Sequence, residues 1–236
     1  MRGPLRAIDE AATRIVASHA PASRELARSA GEVLTAEWNA RQCDEEELYS
    51  SPLYLWACLD CWRTFTARSA RLTARSLRRV GMEPQRIVDF GAGIGTSTAQ
   101  LAREFPDATV VYHNLPGPQV KVAEELFSEL GLGNVEILTC EARLVRADVV
   151  CAYEVFEHLR EPVRVLRELI GPETRMYADG SSFTIDSAGH YRCYYVDGAR
   201  VSNTAIRRQF NGALLDMGMR RAPFKYWNTR PAIWVR

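Results

Sequence analysis

The order of apolar and polar residues divides the chain into two regions. Up to about residue 80 the pattern is helical, and it predicts helices over residues 5–19, 21–41 and 52–80. In the third of these helices, apolar side chains recur at steps of three and four, which places them on one face and predicts that this face is packed. These side chains are Leu55, Leu59, Trp62 and Phe65.

From residue 86 onward, short apolar runs alternate with helical stretches, a pattern typical of a parallel sheet that is covered on both faces. The predicted strands are residues 86–90, 109–113, 136–138, 148–152 and 175–178, and the predicted helices between them are residues 96–104, 119–130 and 162–169. A last helix over residues 203–217 precedes two short runs, 224–227 and 232–235, which we expect to form a hairpin. We therefore divide the chain into a helical region, residues 1–82, and an α/β domain, residues 83–236.

Length and composition restrict the class of protein. At 236 residues, the chain is long enough for one α/β core with a helical extension but short for two independent cores. The 30 basic residues nearly balance the 29 acidic ones, so the net charge of +1 gives no overall attraction to nucleic acid or to an anionic membrane. No apolar run reaches the roughly 18 residues of a membrane span, and the first residues lack the apolar run of a signal peptide. We expect a cytoplasmic protein with no membrane partner.

The six cysteines are scattered along the chain, and we expect them to be reduced thiols. Cys58 and Cys61 form a Cys-x-x-Cys pair, but the pair lies in an apolar helical stretch and no second pair accompanies it. Burial in the helix is therefore favoured over a metal or redox role.

The most informative segment is Ile-Val-Asp-Phe-Gly-Ala-Gly-Ile-Gly-Thr at residues 87–96, a buried strand that ends in a glycine-rich turn and opens a helix. Glycines let the backbone approach a ligand closely, and the N–H groups at the start of the helix point toward that ligand. The dinucleotide-binding pattern Gly-x-Gly-x-x-Gly is excluded because Thr96 stands where its last glycine is required.

An acidic residue at the end of a strand, followed by Gly-x-Gly-x-Gly, resembles the first motif of the class I, Rossmann-like S-adenosylmethionine-dependent methyltransferases. The resemblance implies an α/β fold with a seven-stranded, mostly parallel sheet, helices on both faces and S-adenosylmethionine as the cofactor. It also implies that the glycine turn passes beside the methionine and ribose parts of the cofactor, while Asp89 holds the loop or the cofactor's amino group. The turn residues concerned are Gly91, Ala92, Gly93 and Gly95.

Two further segments extend the resemblance. The second strand ends at Asn114-Leu115-Pro116, which is similar to the Asp-Leu-Pro of many small-molecule O-methyltransferases. The resemblance implies that Asn114 and Leu115 lie at the cofactor's ribose, with an uncharged amide in place of the usual carboxylate. After the third strand, Glu141 and Ala142 occupy the place where the family binds the adenine amino group. Only a few residues then precede the fourth strand, so the usual helix between these strands is expected to be missing or vestigial.

The fourth strand continues into Tyr-Glu-Val-Phe-Glu-His. Because the carboxyl ends of parallel strands form the ligand crevice, we expect Tyr153 at the cofactor and Glu154, Glu157 and His158 at the reacting methyl group. The spacing Glu-x-x-Glu-His is shared by class I methyltransferases generally, most of which use no metal. It also resembles the small-RNA 2′-O-methyltransferases and the ubiquinone-pathway O-methyltransferases, where these side chains hold a divalent cation. In the RNA enzymes a further histidine completes the set, and His190 is its candidate here.

Three interpretations of these side chains stay open at the level of sequence. Glu154, Glu157, His158 and His190 could hold Mg²⁺, Mn²⁺, Fe²⁺ or Zn²⁺, and such a cation would assist the loss of a proton from an alcohol. Without a metal, His158 or His190 could act as a general base near Glu154. Alternatively, Glu157 and His158 brace the following helix.

The expected reaction is direct displacement of the methyl group by an oxygen, or a nitrogen, of a small-molecule or nucleotide-type acceptor. Most of the catalysis would come from positioning the two reactants. We expect the amino-terminal helices and residues 180–200 to cover the site and select the acceptor. The arginine-rich helix at residues 68–79 leaves a nucleic-acid methyltransferase as an alternative. A non-catalytic protein that binds the cofactor or its product S-adenosylhomocysteine is an alternative of another class.

Overall fold

The described part of the amino-terminal region is mainly helical, and the predicted helices 5–19 and 52–80 are confirmed. The helix predicted over 21–41 is found over Ala30–Arg41, with residues 22–26 outside the described part, and a helix at residues 45–50 was not predicted. The computed structural model describes residues 4–21, 27–41, 45–139, 146–224, 226 and 230–236. The first helices are α1 (Pro4–His19), α2 (Ala30–Arg41), α3 (Glu45–Ser50), α4 (Pro52–Cys61) and α5 (Ala67–Arg79). A π-helical turn, Trp62–Thr66, joins α4 to α5, so the two form the one long helix that the apolar spacing predicted. Ser51 caps its start by accepting the N–H of Leu53, and Pro52 occupies the first turn.

Seven strands form a single, mostly parallel sheet, which confirms the predicted fold class. The strands of the chain are β1 (Arg86–Phe90), β2 (Thr109–Asn114), β3 (Val135–Thr139), β4 (Val149–Ala152), β5 (Met176–Asp179), β6 (Cys193–Val196), β7 (Ala199–Ser202), β8 (Arg220–Arg221) and β9 (Ala232–Val235). The order in the sheet is β3-β2-β1-β4-β5-β9-β8, and β6 pairs separately with β7. Strand β1 pairs with β2 on one side and β4 on the other, so the end of β1 lies in the middle of the sheet's carboxyl edge.

Helices cover both faces of the sheet. The remaining ones are α6 (Thr96–Glu104), α7 (Pro118–Glu129), α8 (Pro162–Leu169) and α9 (Asn203–Asp216). Helix α1 packs with α4 and α7 in one apolar cluster, which includes Ile8, Ala12, Leu59, Val122 and Leu126. On the opposite face, α8 and α9 pack in a cluster that includes Phe156, Val163, Leu166, Phe210 and Leu214. The amino-terminal helices therefore share a core with the α/β domain.

The prediction of a hairpin between residues 224–227 and 232–235 was wrong. Strand β9 pairs instead with β5 and with β8. Phe224 and Tyr226 form no strand, because their rings are held by α5: the hydroxyl of Tyr226 lies 2.6 Å from Ser76 Oγ, and the guanidinium of Arg79 lies 5.7 Å from the Phe224 ring centre. The other residues of the predicted first run and its turn, 225 and 227–229, lie outside the described residues.

The hairpin of β6 and β7 was not predicted. Its turn is Asp197-Gly198, and both residues have positive φ, 49° and 78°. An Asp-Gly pair between two short apolar segments is a known hairpin signal, so this turn could have been predicted from the sequence. Within the described residues, no helix is both long and apolar enough to cross a membrane.

Candidate active site

Glycines in the left-handed conformation shape the turn after β1. The φ angles of Gly91, Gly93 and Gly95 are 67°, 55° and 80°, values that residues with a side chain rarely adopt. A Cβ added to Gly95 would lie 2.6 Å from Cζ of Phe127, and one added to Gly91 would lie 2.7 Å from Cγ1 of Val155. Because Gly95 directly precedes α6, the turn presents its backbone at the amino terminus of a helix.

Asp89 supports this turn from inside the protein. Its side chain is buried, and Oδ2 accepts hydrogen bonds from the hydroxyls of Ser97 and Thr98, each at 2.7 Å. Burial raises the pKa of Asp89 to about 6, and the two hydroxyl bonds oppose that rise. Of the two roles that the resemblance implied for Asp89, this arrangement corresponds to holding the loop.

Asn114 ties the end of β2 to the glycine turn. Its Oδ1 accepts the N–H of Gly93 at 3.3 Å, and its Nδ2 donates to the carbonyl of Leu115 at 3.2 Å. The hydroxyl of Tyr112 donates to the carbonyl of Gly93 at 2.7 Å. Leu115 is 51% exposed, so it leaves an apolar side chain at this edge. Asn114 and the turn therefore form one surface at the carboxyl ends of β1 and β2.

Glu154, Glu157 and His190 converge beyond the end of β4. Each places one possible ligand atom within 4.8 Å of those of the other two. Glu157 is fully buried; its Oε1 accepts the N–H of Ser182 at 2.6 Å, and its Oε2 has no hydrogen-bond partner among the described residues. Glu154 has a positive φ of 55°, which a side-chain-bearing residue adopts only at a cost. The fold therefore gathers three groups that accept protons or bind cations.

The tautomer of His190 follows from its hydrogen bond. Nδ1 lies 2.7 Å from the carbonyl oxygen of Ile185, which can only accept, so Nδ1 carries the proton. Burial lowers the pKa of His190 and so favours the neutral ring. The lone pair of Nε2 is then free to accept a proton or to bind a cation, as in metal sites where the other ring nitrogen is fixed by a carbonyl.

His158, the fourth member of the predicted set, lies outside the convergent group. Its ring packs edge-on against that of His190, with 4.7 Å between ring centres. Its Nδ1 is buried, has no hydrogen-bond partner among the described residues, and would lie 2.5 Å from a Cβ added to Gly189. Burial, and then the neighbouring His190, lower the pKa of His158 to about 3. The structure thus assembles three of the four predicted ligands.

The carboxyl groups of Glu154 and Glu157, which with His190 form the convergent cluster, are difficult to ionise at the same time. Burial raises the pKa of Glu154 to about 7, and the nearby Arg230 opposes that rise. Burial and the charge of Glu154 hold the pKa of Glu157 well above its ordinary value. Two desolvated carboxylates repel each other unless a proton or a cation lies between them. At neutral pH the cluster therefore favours a bound proton or a bound cation.

Tyr153 is buried against the amino-terminal helices. It is 5% exposed, and its hydroxyl donates to Thr73 Oγ1 of α5 at 2.7 Å. The side chain is therefore engaged within the protein, and contact of Tyr153 with a cofactor stays a prediction. The two residues expected at the adenine, Glu141 and Ala142, lie outside the described residues.

The amino-terminal helices lie over the cluster. From α2, Nε1 of Trp38 donates to the carbonyl of His190 at 3.3 Å. From α3, the ring of Tyr49 lies 6.5 Å from that of His158, and the Tyr49 carbonyl accepts from Gln119 at 2.6 Å. Gln119 lies in the first turn of α7, which follows β2, so α3 bridges the crevice from one side to the other.

Arg230 is a site residue that the sequence did not indicate. Its Nη1 donates to Oε1 of Glu154 at 3.3 Å, and its Nη2 donates to the hydroxyl of Ser182. Arg230 belongs to the segment expected to be a hairpin turn. Its proximity to Glu154 arises only from tertiary folding, and we find no local signal for it.

Comparison with known proteins agrees with this geometry. A family profile described as a methyltransferase domain matches residues 88–171. The malonyl-[acyl-carrier protein] O-methyltransferase of Halalkalibacterium halodurans is 28% identical over 113 residues, which are 45% of this chain. The match spans 42% of the length of that protein, less than half.

Solved structures share the fold. The mitomycin 7-O-methyltransferase MmcR superposes with a TM-score of 0.58 at 18% identity, covering 86% of this chain and 65% of that one. The S-adenosylmethionine-dependent methyltransferase SibL superposes with a TM-score of 0.51 at 14% identity, covering 95% of this chain and 74% of that one. The profile assigns residues 88–171 to a methyltransferase domain, and the two solved structures show that the chain shares the fold of S-adenosylmethionine-dependent methyltransferases.

Proposed function

We propose that this protein transfers the methyl group of S-adenosylmethionine to an oxygen atom of a small-molecule acceptor, next to Glu154, Glu157 and His190. The observation that carries the proposal is the convergence of these three groups beyond β4, the strand that pairs with β1 beside the glycine turn. The partial match to a protein named as an O-methyltransferase supports oxygen as the acceptor atom.

The glycine turn is the proposed cofactor platform. The backbone from Gly91 to Gly95 lies at the start of α6, where N–H groups attract electron-rich atoms. Asn114 is the proposed partner of the ribose hydroxyls, since its amide is fixed beside Gly93. Glu141 and Ala142 stay proposals for the adenine. Asp89 acts on the cofactor through the turn that it braces.

The reaction needs little covalent chemistry from the protein. The acceptor oxygen attacks the methyl carbon, the carbon–sulfur bond breaks, and its electron pair remains on sulfur in S-adenosylhomocysteine. The hydroxyl proton passes to Nε2 of His190 or to a carboxylate of the cluster. The helices over the cluster exclude water and hold donor and acceptor in line, an effect worth roughly 7–11 kcal/mol in favourable cases.

The donor set of the cluster also fits a divalent cation. Two carboxylates and one imidazole with a free lone pair suit Mn²⁺, Fe²⁺ or Zn²⁺, and the unpartnered Oε2 of Glu157 supplies a buried ligand atom. Glu154, Glu157 and His190 would hold such an ion. When bound, it would lower the pKa of a coordinated acceptor hydroxyl.

Two measurements test the function. S-adenosylhomocysteine titrated into the protein should release or absorb heat, and a Gly95→Val variant should abolish that response. Mass spectrometry should then detect S-adenosylhomocysteine formed from S-adenosylmethionine with a panel of phenols, alcohols and carboxylic acids, and His190→Ala should suppress it. A protein that gives no thermal response to either donor or product contradicts the proposal. Binding with no turnover across the panel would favour the non-catalytic alternative.

No specific observation favours a nucleic-acid acceptor. Arg78 pairs with Glu104 and lies 5.6 Å from the ring centre of Phe105, and Arg79 lies over Phe224. These two cations of the arginine series are therefore engaged within the protein.

A further inference from the structure

A cavity of about 280 Å³ lies at the carboxyl end of β5, where α9, β8 and β9 meet. Cations dominate its wall: among the described residues that line it there are three arginines and one carboxylate. The charged and amide side chains are Arg207, Arg221, Arg230, Asn211 and Asp179.

Arg207 is fixed in the wall before any ligand arrives. Its guanidinium donates to Oδ2 of the buried Asp179 and to the carbonyl of Ser181. Its carbon Cζ lies 4.9 Å from the ring centre of Phe183. Contacts on three sides leave this side chain few alternative positions, which reduces the entropy that a ligand would have to remove.

Arg230 connects the cavity to the reaction centre. One of its nitrogens lies 3.3 Å from Oε1 of Glu154, and Cζ lies 5.6 Å from the ring centre of Phe65. Arg230 therefore contacts Glu154 of the convergent cluster and can also contact a molecule inside the cavity.

Arg221 carries a positive charge that is not paired with an acidic side chain among the described residues. Asp179 balances Arg207, and Glu154 balances Arg230. Arg221 is exposed on β8, and we find no hydrogen bond or ion pair from its side chain within the described part of the chain. The wall thus carries a net positive charge and a guanidinium with free donors, which matches the geometry of a carboxylate or a phosphate.

We propose that this cavity binds an oxyanion group, carboxylate or phosphate, of the methyl acceptor, and that Arg221 is the residue that selects it. The assignment of the anion to the acceptor rests on the proposed function. Binding of the anion itself does not, because it requires neither cofactor nor turnover.

The experiment uses the full chain and two probes, malonate and inorganic phosphate. Each is titrated at a fixed ionic strength maintained with sodium chloride, and binding is followed by calorimetry and by the melting temperature. We expect saturable binding of at least one probe, and the tighter of the two identifies the preferred group. Arg221→Gln should weaken that binding at least about ten-fold, the effect expected for losing a charged hydrogen-bond donor. Arg220→Gln, the neighbouring residue on β8 that does not line the cavity, should leave it unchanged.

A second variant guards against a folding defect in the first. Asn211→Asp adds a negative charge to the wall and should also weaken anion binding. The inference is overturned if neither probe saturates, or if Arg221→Gln and Arg220→Gln bind the probe equally. S-adenosylhomocysteine titrated into the same preparation separates the two proposals. Cofactor binding without anion binding overturns this inference alone, and anion binding without cofactor binding overturns the proposed function alone.

Discussion

Glu157 and His190 come from different segments of the chain, yet their side chains place possible ligand atoms within 4.8 Å of each other. Glu157 follows β4, and His190 precedes β6. Oε2 of Glu157 lacks a partner among the described residues, and Nε2 of His190 keeps its lone pair because Nδ1 donates to Ile185. The pair is arranged to share a proton or a cation.

The first prediction concerns that cation. Mn²⁺ or Zn²⁺ should raise the melting temperature of the metal-stripped protein, because an ion that binds only the folded state stabilises it. Glu157→Gln should remove this response, since an amide oxygen is a weaker ligand and the neutral side chain relieves the charge of the cluster. The half-exposed Glu161 offers a matched control, and Glu161→Gln should respond like the wild type. An equal rise in all three proteins would count against the site.

The second prediction concerns the pH dependence of stability. Burial raises the pKa of Asp89 from 3.8 to about 6, so between these values the folded protein holds a proton that the unfolded chain releases. The free energy of unfolding that Asp89 contributes should therefore be largest below pH 4 and should fall as pH rises through about 6. Asp89→Asn cannot titrate, so the wild type should lose stability relative to this variant across that window.

Chemical denaturation at several pH values measures this difference. Thr98→Val removes one of the two hydrogen bonds that oppose the rise in the pKa of Asp89, and it should extend the dependence to higher pH. A difference between wild type and Asp89→Asn that is constant with pH, or that grows as pH rises, is incompatible with a buried carboxyl of raised pKa.

The third prediction separates backbone strain from close packing at the glycine turn. Gly131 has a φ of 64°, and a Cβ there would meet no atom within 4 Å, so Gly131→Ala should cost only the left-handed conformation, about 1–2 kcal/mol. Gly95→Ala has the same conformational cost, and its Cβ also clashes with Phe127, adding about 1–3 kcal/mol. Urea denaturation should rank the two variants in this order, and Gly95→Ala alone should weaken S-adenosylhomocysteine binding. Equal losses of stability would show that packing at the turn is unimportant.

The fourth prediction concerns the amide at the end of β2. Asn114→Asp introduces a negative charge at this place, while its oxygen can still accept the N–H of Gly93. Because charge-assisted hydrogen bonds are roughly twice as strong as neutral ones, we expect S-adenosylhomocysteine to bind about five- to ten-fold more tightly. Asn114→Ala should bind it more weakly than the wild type. Calorimetry checks this order, and a charged variant that binds no better than the wild type would argue against a ribose contact.

The sequence predicted the elements that depend on local pattern. The bounds of β1, α6 and α8 coincide with residues 86–90, 96–104 and 162–169 as predicted. A run of buried apolar residues, a turn that requires three glycines, and a proline in the first turn of α8 each act within a few positions of the chain. The pairing of β9 was mispredicted because Phe224 and Tyr226 are held by a helix that is distant in sequence.

Local residue patterns were enough to predict the class of fold and the turn that serves as the proposed cofactor platform, since glycine conformation and hydrophobic periodicity are properties of neighbouring residues. Which acidic and imidazole groups meet depended on tertiary packing. It brought His190 to Glu154 and Glu157, left His158 beside them, and added Arg230. The reason is physical: burial, charge and hydrogen bonding between distant segments depend on how the helices and the sheet pack, and no local pattern encodes that packing.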